Sequence, residues 1–107
     1  MIARIWQGIT LTSKAESYLQ YLNQAVIPAC QKAAGLQGLI VMRETRDGLT
    51  HFLLLSLWAS EQALRDFTGP EPDVVNPPPQ EKDLLTAFES TARHYAVLST
   101  TSPLPKL

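Results

Sequence analysis

Two histidines, His51 and His94, are the side chains able to take up or release a proton near neutral pH. Arg4 and Arg43 lie within apolar stretches (IARIW and IVMRE), where a guanidinium needs a partner and can hold an anionic oxygen. Trp58 offers a flat wall for a ring, and Trp6, Phe52, Leu54 and Ser56 are placed on its face of the sheet. Together these residues suit the binding of an aromatic molecule and the stabilisation of negative charge on it. Each also has a plainer reading. A strand histidine is often a hydrogen-bonded structural residue, Arg43 lies near a hairpin tip and can sit in solvent, Arg4 can pair at a sheet edge, and Trp58 can be core. No His/Asp/Glu spacing converges as metal ligands, and Cys30 is alone, so no metal site is expected. There is no Gly-rich phosphate loop, no Ser-His-Asp signature and no carboxylate pair.

The elements that must position these residues centre on Gln37 to Phe67, QGLIVMRETRDGLTHFLLLSLWASEQALRDF. Asp47-Gly48 is a type I′ hairpin signal, since both central residues of that turn need φ > 0. A two-residue loop sets Arg46 against Leu49, Arg43 against Phe52, Val41 against Leu54, Leu39 against Ser56 and Gln37 against Trp58. One face then carries Leu39, Val41, Arg43, Phe52, Leu54, Ser56 and Trp58, and the other Gly38, Ile40, Met42, Leu53, Leu55 and Leu57. Both faces are apolar, whereas an antiparallel hairpin usually shows one face to water. One face packs on the chain's own helices, and the other meets a second subunit in a homodimer. The face bearing Leu54 and Trp58 is assigned to the partner, and the cavity of such a dimer to the space these side chains define.

Ile2 to Ile9 reads as the first strand, with Ala3 and Ile5 placed under the helices and Arg4 and Trp6 on the second face. Ser13 and Glu16 form an S-x-x-E capping box ahead of a helix. Its apolar stripe is Ala15, Tyr18, Leu19, Leu22, Ala25, Val26, Ala29 and Cys30; Pro28 should kink it and Gly35 should stop it. Ser60 caps a second helix that presents Ala63, Leu64 and Phe67 to the sheet. Residues 70–80 hold five of the eight prolines and should run extended over the body. A short helical turn over Glu81 to Ala87, a last strand over Phe88 to Leu98 and a loose tail with Pro103 and Pro105 complete the chain. The order is βαββαβ: an α+β, ferredoxin-like fold with a four-stranded antiparallel sheet, one domain over 1–98 and a tail over 99–107.

Composition narrows the function. The formal net charge of −1 leaves no footprint for nucleic acid. No apolar run approaches the ~20 residues of a membrane span, and no leader sequence is evident. With its lone cysteine, the chain is expected in the cytoplasm.

MIARIWQG, HFLLLSLWASEQALRDF and RHYAVL resemble the antibiotic biosynthesis monooxygenase family over most of residues 1–98. The resemblance implies a dimeric α+β barrel and, for some members, oxidation of quinol-like aromatics by molecular oxygen without metal or flavin. It also shows departures. The Asn four residues before the third-strand Trp is Leu54 here, the aromatic six after it is Leu64, and a second-strand position that can be His is Arg43. The haem-degrading branch carries a His on its second helix; neither His51 nor His94 lies there, so haem oxygenation is not expected. Two functions follow. One is a cofactor-independent monooxygenase acting on an electron-rich aromatic in a cavity between sheet and helices of a homodimer. Its catalytic candidates are Trp58, Arg43, His94 and His51, and its substrate-binding candidates are Arg4, Trp6, Phe52, Leu54 and Ser56. The other is a non-catalytic barrel that binds a small apolar ligand or serves as a scaffold.

Overall fold

A computed structural model describes residues 1–101. The chain runs β1 (Ile2–Leu11), a 3-10 turn (Thr12–Lys14), α1 (Ala15–Tyr21), a π-helical turn (Leu22–Val26) and α2 (Ile27–Lys32). It continues through β2 (Leu36–Arg46), β3 (Leu49–Trp58), α3 (Glu61–Thr68), α4 (Pro79–Lys82), β4 (Ala87–Phe88) and β5 (Arg93–Ala96). The sheet is antiparallel, ordered β2-β3-β1, with β4 and β5 both against the far side of β1. This is the ferredoxin-like α+β order. No helix among the described residues is long and apolar enough to cross a membrane.

The hairpin turn forms as its sequence requires: Asp47 and Gly48 have φ of 53° and 76°, and Arg46 faces Leu49. From there the register holds through Arg43–Phe52 and Val41–Leu54 to Leu39–Ser56. It then slips at a bulge, so Leu36 and not Gln37 stands opposite Trp58.

The helices cover the face opposite to the one expected. Tyr18 and Leu22 close over Phe52, and Trp6, Leu39 and Trp58 are buried on the same face of the sheet. Arg4, Trp6 and Leu54 therefore lie beneath the helices, and Ala3 and Ile5 lie on the open face. The largest side chains decide this: two Trp and a Phe sit on one face, where only the helices give enough contact to bury them. The open face keeps Ile5, Ile40, Leu53 and Leu55 half-buried and Met42 and Tyr95 exposed.

Three local expectations also change. The Ser13–Glu16 capping box does not form; Glu16 reaches across to Arg43 at 2.7 Å, and α1 begins without a side-chain cap. Pro28 lacks an N–H, and the helix accommodates it by widening into the π-turn just before it. The extra residue in that turn shifts the stripe's phase, leaving Ala25 and Ala29 exposed while Leu22 and Cys30 stay buried. The last strand is two short pieces, because Ser90–Ala92 bonds to the proline-rich segment instead of to β1. Val75 N–H donates to the Ser90 carbonyl at 2.9 Å and Ala92 N–H to the Asp73 carbonyl at 2.8 Å. The proline-rich segment is thus a strap held along the sheet edge. The tail prolines Pro103 and Pro105 lie outside the described residues.

Ser60 does cap α3, its Oγ accepting from Ala63 N–H at 3.1 Å. The start of α3 presses on the turn before β2. A Cβ on Gly35, at φ 87°, would meet the Ala63 Cβ at 2.6 Å, whereas one on Gly48, at φ 76°, would meet nothing within 4 Å. Gly48→Ala should therefore cost only the left-handed backbone penalty, about 1 kcal/mol. Gly35→Ala should cost about 2–4 kcal/mol, because steric overlap is added. Urea unfolding of both variants checks this; equal losses would show that the helix yields freely.

Candidate functional site

On the helix-covered face, β1 places Arg4 between Ser56 of β3 and His94 of β5 as direct cross-strand neighbours. The next residue on that face, Trp6, pairs with Leu54. The strap and α4 pass beside this part of the sheet and leave an open pocket of about 240 Å³, bordered by Arg4, Trp6, Leu54, Phe67, Val74 and Glu81. A larger cleft of about 460 Å³ lies alongside between α3, the strap and His94, and Val74 borders both.

Arg4 is the central charge. One nitrogen, Nη2, donates to the Pro72 carbonyl at 3.4 Å, and Nε is buried with no partner among the described residues. Burial lowers its pKa, opposed by Cys30 and Asp73, but a guanidinium stays charged. The buried Cys30 thiol is pushed up by its burial and drawn back by Arg4. Arg4 is thus a desolvated cation with donors to spare, fitted for an anionic oxygen.

His94 Nδ1 lies 2.9 Å from Asp73 Oδ1 on the strap. A carboxylate there accepts a hydrogen bond from Nδ1–H. His94 Nε2 is buried and unpartnered among the described residues.

Glu81 was not among the sequence candidates. It comes from α4, is only 7% exposed, and its Oε2 accepts from the Tyr18 hydroxyl at 2.8 Å. Tyr21, stacked on Tyr18 with ring centroids 6.3 Å apart, interacts with the same carboxylate. Burial raises the Glu81 pKa, and the two phenols partly oppose it. The same burial and the adjacent carboxylate push the Tyr18 hydroxyl upward. A carboxyl with its pKa raised in the folded state is more protonated there than in the unfolded chain. Its contribution to stability is therefore full below the unfolded pKa and declines as pH rises through the folded one. Glu81→Gln keeps an acceptor for Tyr18 and removes that decline. Melting curves from mildly acid to neutral pH should show the variant gaining on the wild type as pH rises; parallel curves would place the carboxyl in water.

Of the remaining candidates, Trp6 and Leu54 reach the pocket and the others do not. Trp58 is fully buried, its Nε1–H donating to Ser56 Oγ at 2.9 Å and its ring 4.9 Å from that of Phe67. Ser56 is thereby occupied. Phe52 is fully buried edge-on to Tyr18. Arg43 is on the surface with Glu16. His51 is on the open sheet face, its Nδ1 accepting from Gln7 Nε2 at 2.9 Å. Trp6 borders the pocket while its Nε1–H donates to the Glu89 carbonyl at 2.6 Å. Among the described residues no three His, Cys, Asp or Glu side chains converge as metal ligands. Residues Glu61–Thr68 of α3 contain no histidine.

No protein-family profile and no curated protein sequence matches this chain. Solved structures do. A Bacillus cereus protein named as a candidate antibiotic biosynthesis monooxygenase superposes with a TM-score of 0.67 at 14% identity, covering 98% of both chains. A cofactor-independent oxygenase from Streptomyces nogalater matches with a TM-score of 0.55 at 12% identity, over 92% of this chain and 95% of that one. A haem degrader from Mycobacterium tuberculosis, holding two haems in its active site, matches with a TM-score of 0.57 at 16% identity, over 95% and 100%. The chain shares the fold of antibiotic biosynthesis monooxygenase structures over nearly its full length, and that fold carries unlike chemistries.

Proposed function

We propose that residues 1–98 form a cofactor-independent monooxygenase that oxidises an electron-rich aromatic hydroxy compound in the Arg4 pocket and works as a cytoplasmic homodimer. The observation that carries this reading is Arg4 itself. It is a desolvated guanidinium with an unpartnered Nε–H, bordering a pocket whose other walls include Trp6, Leu54 and Phe67. Such a pocket binds a flat ring and stabilises a phenolate, and a phenolate gives electrons to oxygen far more readily than a phenol does. The overall change balances without a second reductant. A phenol and one O2 give a quinone and one water; one oxygen atom enters the ring, and the substrate supplies all the electrons. The cofactor-independent oxygenase of the same fold supports this chemistry. The open apolar face, with Ile5, Ile40, Met42, Leu53, Leu55 and Tyr95, supports a sheet-to-sheet dimer.

The test is oxygen uptake by metal-stripped protein over a panel of hydroquinones. Arg4→Gln should lose turnover at least tenfold, a change of about 1.4 kcal/mol in the barrier. Arg43→Gln, altered only on the surface, should match the wild type. Equal turnover by Arg4→Gln and wild type would remove the pocket from the reaction. A ligand held in the pocket with no turnover on any substrate would favour the binding-module reading.

A further inference from the structure

The oxygenase reading leaves the substrate's proton without an acceptor. His51 is on the opposite face of the sheet, and His94 lines the neighbouring cleft and not the Arg4 pocket. The group that does border this pocket and can take a proton is the buried carboxylate on the strap side. We propose that Glu81 is a catalytic base that accepts the hydroxyl proton of a bound phenol, with Tyr18 as its positioning residue. This rests on the reading of the pocket as an aromatic hydroxyl site.

Arg4 and Glu81 border the same pocket, one from the sheet and one from α4. A phenol bound in that pocket has both the cation and the carboxylate on its walls. The step is a proton transfer only: the substrate O–H bond breaks, a Glu81 O–H bond forms, and the electron pair stays on the substrate oxygen. Net charge in the pocket is unchanged, so the step avoids the cost of creating charge in a desolvated site. Tyr18 fixes the carboxylate by its 2.8 Å hydrogen bond and is itself fully buried, so the geometry is rigid. A carboxylate has about four acceptor positions. With Tyr18 and Tyr21 on it, Glu81 keeps room for a substrate hydroxyl. Its desolvation makes it a stronger base than an exposed carboxylate, as proton abstraction near neutral pH needs. The titratable groups facing it are Tyr18 and Tyr21 from the first helical segment; Arg4 borders the same pocket from β1, and the chain neighbours Lys82 and Asp83 are exposed. No local pattern marks this pair, because Tyr18 and Glu81 are 63 residues apart.

The probe is 4-nitrophenol, whose anion absorbs in the violet and whose neutral form does not. The anion band of the bound probe is followed against pH at saturating probe, with occupancy measured by equilibrium dialysis. A phenol and a carboxylate that share one proton titrate in two separated steps. The wild type should therefore show two steps in the bound anion band, and Glu81→Gln only one. Tyr18→Phe removes a donor that favours the charged carboxylate, so it should move the first step to higher pH. In the Tyr18→Phe/Glu81→Gln double variant that movement should vanish, which a purely structural tyrosine would not produce. One step in the wild type, at the pH found for Glu81→Gln, overturns the proposal. So does a wild-type pocket that does not bind the probe. Two steps in the wild type and one in the variant, with no oxygen uptake on any hydroquinone, would sustain Glu81 as the proton acceptor while the oxygenase reading falls.

Discussion

Leu55→Asp should turn the proposed homodimer of about 24 kDa, twice the 11.9 kDa chain, into a folded monomer, whereas Leu54→Asp should leave the assembly intact and lower its stability. The two residues are adjacent in β3 and point to opposite faces. Leu55 lies in the middle of the open face, opposite Ile40 of β2 on one side and Ile5 of β1 on the other. In a single chain it is half-buried, so an aspartate there can reach water and costs the monomer little. In a two-fold sheet-to-sheet interface the same position is met twice, and each copy buries an unpaired carboxylate at several kcal/mol. Leu54 instead packs between Val41 and Trp6 beneath the helices, against the cluster of Tyr18, Leu22 and Phe52. Leu54 is half-buried as well, but it borders the pocket, so an aspartate there reaches the pocket's water at the cost of its packing on the core. Light scattering on a gel-filtration column, with far-ultraviolet circular dichroism for folding, reads both outcomes. A Leu55→Asp protein of unchanged mass would mean that something other than a second copy covers the open face.

That pair also shows where the sequence stopped being informative. The turn chemistry of Asp47-Gly48 determines the pairing from Arg46–Leu49 to Leu39–Ser56, because a two-residue loop leaves no slack in register. It also determines which residues share a face. It does not say which face the helices take when both are apolar. A usable signal was Gly8, on the face of Trp6 and Phe52. A Cβ there would meet the Trp6 ring at 3.0 Å and the Leu85 side chain at 3.1 Å, so a close cover over that face requires glycine. The grouping of Arg4, Ser56 and His94 follows from strand order and was open to inference. Asp73 and Glu81 were not, because the contacts that position them are made across the whole chain by a proline-rich strap with no periodicity. The break in the last strand has the same cause: Ser90–Ala92 finds its hydrogen bonds on residues 73–75, a pairing that no local pattern encodes.

Trp58→Ala should cost about 3–5 kcal/mol of stability, a large share of the 5–15 kcal/mol that holds a typical domain together. The side chain is fully buried at the end of β3, stacked at a tilt of 32° on Phe67 of α3 and donating to Ser56. Removing it opens a cavity between the sheet and α3, strips Phe67 of its support and leaves a buried hydroxyl without its donor. Activity measured on this variant will fall, but the fall will follow the unfolded fraction. That separates a core tryptophan from one that stacks on substrate. Trp58→Phe keeps a ring against Phe67 and loses only the indole N–H and part of the volume, for about 1–2 kcal/mol. Its folded molecules should turn over substrate at the wild-type rate, since Trp6 and Phe67, not Trp58, border the pocket. Urea unfolding followed by tryptophan fluorescence gives the stability of each variant, and oxygen uptake per folded molecule gives its chemistry. A Trp58→Phe protein as stable as the wild type yet tenfold slower would put the indole ring in the reaction and reopen the pocket's boundary at β3.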